Sequence, residues 1–158
     1  MFFGPHTPRY GRELPRAPLA PWEAQVSGLD SADSFGRTET GAFVSPGLHQ
    51  QTYTITGPDG PELELVRTHG FTPRSAGETH VFLQISWRGK AVSPAAGELL
   101  AAVFHEMADR DIAVLETVQR CLDEDPPGRR YVNVKADRAA VRARRILAEM
   151  VEAEHVTG

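Results

Sequence analysis

The stretch from Ser93 to Leu122, SPAAGELLAAVFHEMADRDIAVLETVQRCL, constrains this chain more than any other. At helical spacing it aligns Leu100, Val103, Phe104, Met107, Val114, Leu115, Val118 and Leu122 in one stripe. Asp111 interrupts that stripe, four residues after Met107 and three before Val114. An ionised carboxylate on a buried helix face is costly unless something pairs with it, protonates it or coordinates it. Asp111 is therefore either a paired structural acid or a site residue, and spacing leaves both open.

The boundaries of the helix are also written in the sequence. Ser93 supplies an N-cap with Pro94 at the first helical position, and Asp125-Pro126-Pro127-Gly128 stops it. Upstream, Gln51–Thr56 is a β-branched and aromatic run, followed by the turn Gly57-Pro58-Asp59-Gly60 and a return strand over Leu63–Thr68. A second hairpin joins LVRTHGFTP to THVFLQISW, giving three or four antiparallel strands in a meander. Downstream, a short strand is expected over Arg130–Val134. Asp137 then caps a last helix with Val141, Ile146, Leu147 and Met150 as its buried side. Prolines at 5, 8, 15, 18 and 21 exclude a continuous helix or a central strand early in the chain. Residues 1–40 therefore read as an extended arm wrapped on the body and anchored by Trp22, and residues 41–158 as a pocket domain. The order is α+β, a curved antiparallel sheet around a long helix with a C-terminal helix. Such a helix leaves a pocket against the sheet, into which Asp111 would point.

Composition narrows the function classes. At 158 residues the chain is long enough to bury a core as one domain, and its net charge of -4 gives no electrostatic reason to expect nucleic acid or an anionic membrane. No apolar run is long enough to span a bilayer, and Phe2-Phe3 runs straight into Gly-Pro-His, so no secretory leader is expected. Cys121 is the only cysteine, which excludes an internal disulfide and fits a reducing cytoplasm.

Three separated blocks then resemble one family. Asp109–Arg120, DRDIAVLETVQR, is similar to the "E-D-x-x-V-x-E-x-x-Q" segment of catalytic domains in Rieske-type non-haem iron oxygenases, most closely the aromatic O-demethylase and monooxygenase branch. Thr68–Pro73 followed by Glu78–Phe82 resembles that family's "H-x-x-T-P-E…T-H-Y-F" hairpin, and Val132–Leu147 its closing strand and helix. The resemblance spans roughly residues 40–155 and implies a START-like helix-grip fold. It implies that Asp111 matches the carboxylate of a two-histidine, one-carboxylate iron site, and that His69 matches a strand position able to face substrate. It also makes a homo-oligomer an option. The departures are as informative. A Rieske cluster needs two cysteines and two histidines, and the iron site needs a closely spaced histidine pair. Histidines at 6, 49, 69, 80, 105 and 155 include no such pair, and there is one cysteine.

The sequence thus points to a cofactor-free cavity enzyme with no metal, binding an apolar small molecule. By analogy with other small pocket proteins, that favours a cyclase or isomerase, including pericyclic ring closure of a polyketide-like substrate in secondary metabolism. Asp111 and His69 would act on the substrate. Trp87, Phe82, Phe104, Met107, His105, Gln50 and Tyr53 would line the cavity. Two alternatives stand beside it: the catalytic-pocket subunit of a split Rieske-type oxygenase, and a non-catalytic hydrophobic-ligand-binding protein.

Overall fold

The computed structural model describes residues 9–75, 77–90, 92–126, 128 and 132–157. Five strands, β1 (Arg9–Ala17), β2 (Phe35–Ser45), β3 (Leu48–Gly57), β4 (Gly60–Pro73) and β5 (Thr79–Gly89), form one antiparallel sheet in sequence order. The short helix α1 (Pro21–Ser27) links β1 to β2, and the long helix α2 (Ala96–Asp123) follows β5. A 3-10 turn (Lys135–Asp137) leads into α3 (Arg138–Thr157). This is the α+β, helix-grip type of arrangement expected from the sequence. No helix among the described residues is long and apolar enough to cross a membrane.

Local chemistry accounts for the connections. Pro58-Asp59 link β3 to β4 with both residues at negative φ, and Gly60, at φ 107°, takes the positive-φ position that follows such a turn. In α1, Pro21 sits in the first turn, and the Glu23 carboxylate accepts the Ala20 N–H at 2.7 Å. Gly28, at φ 69°, closes its C-terminus by donating its N–H to the Ala24 carbonyl at 2.9 Å.

The meander is longer than the three or four strands expected. The proline-rich segment carries β1, α1 and the beginning of β2. Pro15 is tolerated because β1 is an edge strand and its pairing breaks between Leu14 and Ala17. Trp22 packs on the core, 6.1 Å from Tyr53 and 6.4 Å from Phe104 between ring centres.

One face of the sheet meets the two helices over Leu19, Val26, Phe35, Ile55, Leu63, Leu65, Ala96, Leu100 and Phe104. A fully buried polar group sits beside this core. Arg37 donates from Nε to Glu23 Oε1 at 2.9 Å and from Nη2 to Glu23 Oε2 at 2.6 Å. It also donates to the carbonyls of Ala17, Pro18 and Phe35. Tyr53 donates its hydroxyl to Glu23. Burial alone would raise the Glu23 carboxyl, but hydrogen bonds from Arg37, Tyr53 and the Ala20 amide, with the Arg37 charge, hold it below its ordinary value.

Several expectations from helical periodicity are corrected. Only Leu100 and Phe104 of the α2 stripe are buried, while Met107, Val114, Leu115 and Val118 are exposed. Asp111 is exposed too, because the described sheet and α1 cover α2 only as far as Phe104. Helix α2 begins at Ala96 rather than Pro94: Ser93 donates its N–H to Val26, and its carbonyl and Oγ accept from Ala96 and Ala95 in a preceding turn. On α3 Ile146 is buried, but Leu147 and Met150 are exposed, with no described element packed over them. The strand expected over Arg130–Val134 falls partly outside the described residues, and Val132–Val134 are not in a strand.

Removing one member of the buried pair leaves an uncompensated charge. Arg37→Met is expected to cost about 3–5 kcal/mol in urea unfolding, and Glu23→Gln with Arg37→Met less than the sum of the singles. Because the folded state holds Glu23 below its ordinary value of 4.5, its contribution is complete above that pH and is lost as pH falls through the depressed value. Glu23→Gln is expected to flatten that acid limb of the stability curve.

Candidate functional site

Pairing registers place side chains on the helix side of the sheet in rows. Arg37, Ile55 and Leu63 form one, Glu39, Tyr53, Leu65 and Trp87 the next. Beyond them the rows turn polar: Tyr10, Gly41, Gln51, Arg67 and Ile85, then Phe43, His49, His69 and Leu83. The sheet therefore offers α1 and the start of α2 an apolar half and leaves a polar half beside it.

That polar half is a ladder of flat rings. Tyr10 and His49 stack at 6.0 Å between centres, His49 and His69 at 5.7 Å, and His69 and Phe71 at 6.3 Å. Gln51 donates to the Tyr10 hydroxyl at 2.6 Å, and that hydroxyl lies 3.4 Å from His49 Nε2. The Arg67 guanidinium sits 5.3 Å above the Phe104 ring and 3.8 Å from Glu39, whose carboxylate is held by Arg12 at 2.5 Å. Two buried donor positions in this group have no partner among the described residues, Arg67 Nε and His69 Nδ1. They belong to residues two apart on β4, so both side chains leave the same face. Buried polar atoms are normally satisfied, so two unpartnered ones on the same face stand out as places an acceptor would fill.

Both histidines are shifted below their ordinary value. Burial lowers both, Arg67 lowers both further, and His49 adds to the effect on His69. The Asp111 charge acts the other way on His69 alone. Asp111 thus reaches the site through its field, from an exposed position on α2.

The sequence-derived site residues separate accordingly. His69 stands in the ladder, and Phe104 lies beneath Arg67. Tyr53 shares the face but is committed to Glu23. Trp87 packs over Gly97 in the first turn of α2. Phe82 pairs with Gly70 and Gln50 donates to Thr68 at 3.4 Å, so both fall on the opposite face. Met107 and His105 are exposed on α2. The enclosed cavity expected beneath α2 is instead an open face. Concavities of about 600 Å³ along α3 and about 280 Å³ beside Tyr10, Gly41 and Gln50 are not lined by His49 or His69. Tyr10, Glu39, His49 and Arg67 were not singled out from the sequence, although the alternation His49-x-Gln51 and Arg67-x-His69-x-Phe71 carries their common face. Among the described residues no three His, Cys, Asp or Glu side chains cluster as metal ligands.

Histidine titration by NMR checks this arrangement. Both His49 and His69 are expected to titrate below 6.5, and Arg67→Met to move both upward. Asp111→Asn is expected to lower His69 further and leave His49 nearly unchanged, since Asp111 acts on His69 only.

Comparison with curated proteins and with solved structures gave no match. Residues 4–153, nearly the whole chain, match the vanillate O-demethylase oxygenase C-terminal domain. A match over nearly the whole chain shows the family: this chain belongs to the vanillate O-demethylase oxygenase C-terminal domains.

Proposed function

We propose that this chain is the substrate-facing part of an oxygenase of the vanillate O-demethylase type, and that protein outside these 158 residues holds the iron and the Rieske cluster. The donor set of the chain does not fit either group. A Rieske centre takes two cysteine and two histidine ligands, and Cys121 stands alone on the exposed surface of α2. A facial iron site takes two histidines and a carboxylate, and no such trio comes together among the described residues.

The observation that carries the reading is the pair of unpartnered buried atoms, Arg67 Nε and His69 Nδ1, on residues that belong to the face of the ring ladder. Arg67 carries an N–H at that atom, and His69 offers a second when its neutral tautomer holds the proton on Nδ1. Together they suit an aromatic acid or phenolate: the oxygen accepts from both, while the ring lies against the Tyr10–His49–His69–Phe71 ladder. Arg12 holds Glu39, so that Arg67 is shared with a 3.8 Å contact rather than neutralised by a close pair. In this role the chain binds and orients the substrate, with burial disfavouring the charged form of His69. The cofactor-free cyclisation expected from the sequence lacks comparable support, since the acid meant to line a closed cavity is exposed and the face is open.

Calorimetry with 4-hydroxy-3-methoxybenzoate tests this directly. Binding is expected to weaken about tenfold or more in Arg67→Met and in His69→Leu, and with the methyl ester in place of the free acid. Equal affinity of the acid for all three proteins, or no binding to the parent chain, would remove the site.

A further inference from the structure

Tyr10 reaches the ring ladder across a whole strand. It stands on β1 opposite Gly41 of β2, and the next residue in that row is Gln51 of β3. A Cβ on Gly41 would overlap Cζ, Cε1 and the hydroxyl of Tyr10, so the tyrosine ring lies in the space this glycine leaves. Gly41 is not at positive φ, so its backbone does not call for glycine; the seated ring does. An aromatic ring laid over a cross-strand glycine covers open backbone, and phenylalanine would do that equally well. The hydroxyl has a different task.

Its neighbours show which. Gln51 Nε2 only donates, so at 2.6 Å the Tyr10 oxygen accepts from it. The phenol keeps its own proton to give, and His49 Nε2 lies 3.4 Å from the same oxygen. Were that nitrogen protonated, two donors would meet one oxygen and the phenolic proton would turn away from both. With Nε2 bare, donor faces acceptor at each step and the His49 proton sits on Nδ1. The two neutral forms of an imidazole differ little in energy, so even a long hydrogen bond decides between them. The same contact opposes a flip of the ring, which would put a carbon where Nε2 stands. We infer that Tyr10 is a positioning residue of the ladder: seated over Gly41 and held by Gln51, it gives its hydroxyl proton to His49 and fixes the histidine's own proton on Nδ1. His49, on which His69 stacks at 5.7 Å, thereby adds an N–H of settled place to the face where Arg67 and His69 have unpartnered atoms. The benefit to ligand binding rests on the function proposed above; the tautomer is a property of the chain by itself.

Nitrogen NMR of the histidine rings in the free chain reads the tautomer directly, because protonated and bare ring nitrogens resonate far apart. At about pH 8, where an imidazole of ordinary or lower pKa is neutral, His49 is expected to carry its proton on Nδ1. Tyr10→Phe keeps the ring over Gly41 and removes the hydroxyl; Gly41→Ala keeps the hydroxyl and displaces the ring. Both should move the His49 proton largely to Nε2 and leave the exposed His80 and His105 as they are. Both should also weaken binding of 4-hydroxy-3-methoxybenzoate about threefold or more in calorimetry. If Gly41→Ala fails to fold, Tyr10→Phe decides alone. His49 protonated on Nε2 in the parent, or still on Nδ1 in Tyr10→Phe, overturns the positioning role and spares the functional reading. A moved proton with parent-like binding overturns the benefit to the ligand. A moved proton in a chain whose parent binds no such acid overturns the functional reading and leaves the hydrogen-bond chain standing.

Discussion

The buried contact of Arg37 with Glu23 and Tyr53 is the joint on which the architecture turns. It joins α1 to β2 and β3, and through the carbonyls of Ala17 and Pro18 it fixes the chain between β1 and α1. A guanidinium is suited to this because its planar fork meets the two carboxylate oxygens and still has donors left for backbone carbonyls. Buried charges are tolerated only when so fully satisfied, and every oxygen of Glu23 has a partner here. Once α1 is held in this way, Val26 receives the N–H of Ser93 and sets where α2 starts.

That anchoring explains the division of the sheet. Helices α1 and the first turns of α2 cover the end bearing Ile55, Leu63 and Leu65, and Phe104 is the last α2 residue that is buried. Beyond it the sheet presents His49, His69, Gln51 and Arg67, residue types that accept partial burial because each has polar and flat surface to offer. The apolar half makes the core, and the polar half is thereby left for function. On that half, burial and the charge of Arg67 lower both His49 and His69, so the guanidinium is the fixed positive charge beside them.

Much of this was legible in the residues. The turn at Pro58-Asp59, the strands on either side, and the long helix all follow from local chemistry, and His69 was recognisable by its place in a family-like hairpin. Its partner across the sheet was not. Counting back from the turn, where Gly57 faces Gly60, would set His49 against Thr68. A register shift between Ile55 and Thr56 moves the pairing by one, so that His49 meets His69 and Gln51 meets Arg67. Pro61, with no N–H to give the ladder, is the one local mark of that bulge, and without the shift the two histidines would leave opposite faces. Phe82 and Gln50 were assigned to the site for the same reason: period-two alternation gives two faces, and only register says which one a helix covers.

Helix α2 shows the complementary limit. Its stripe is real, and amphipathic periodicity reports that a surface is suited to cover, not what covers it or how far along the helix that cover extends. Leu100 and Phe104 are covered by this chain; Met107, Val114, Leu115 and Val118 are not. Asp111 seemed anomalous only on the premise that the whole stripe was internal. In the open, a carboxylate on that helix is inexpensive, and its remaining influence is a field felt at His69. That field is the one link between the exposed half of α2 and the histidine face of the sheet that the described residues show.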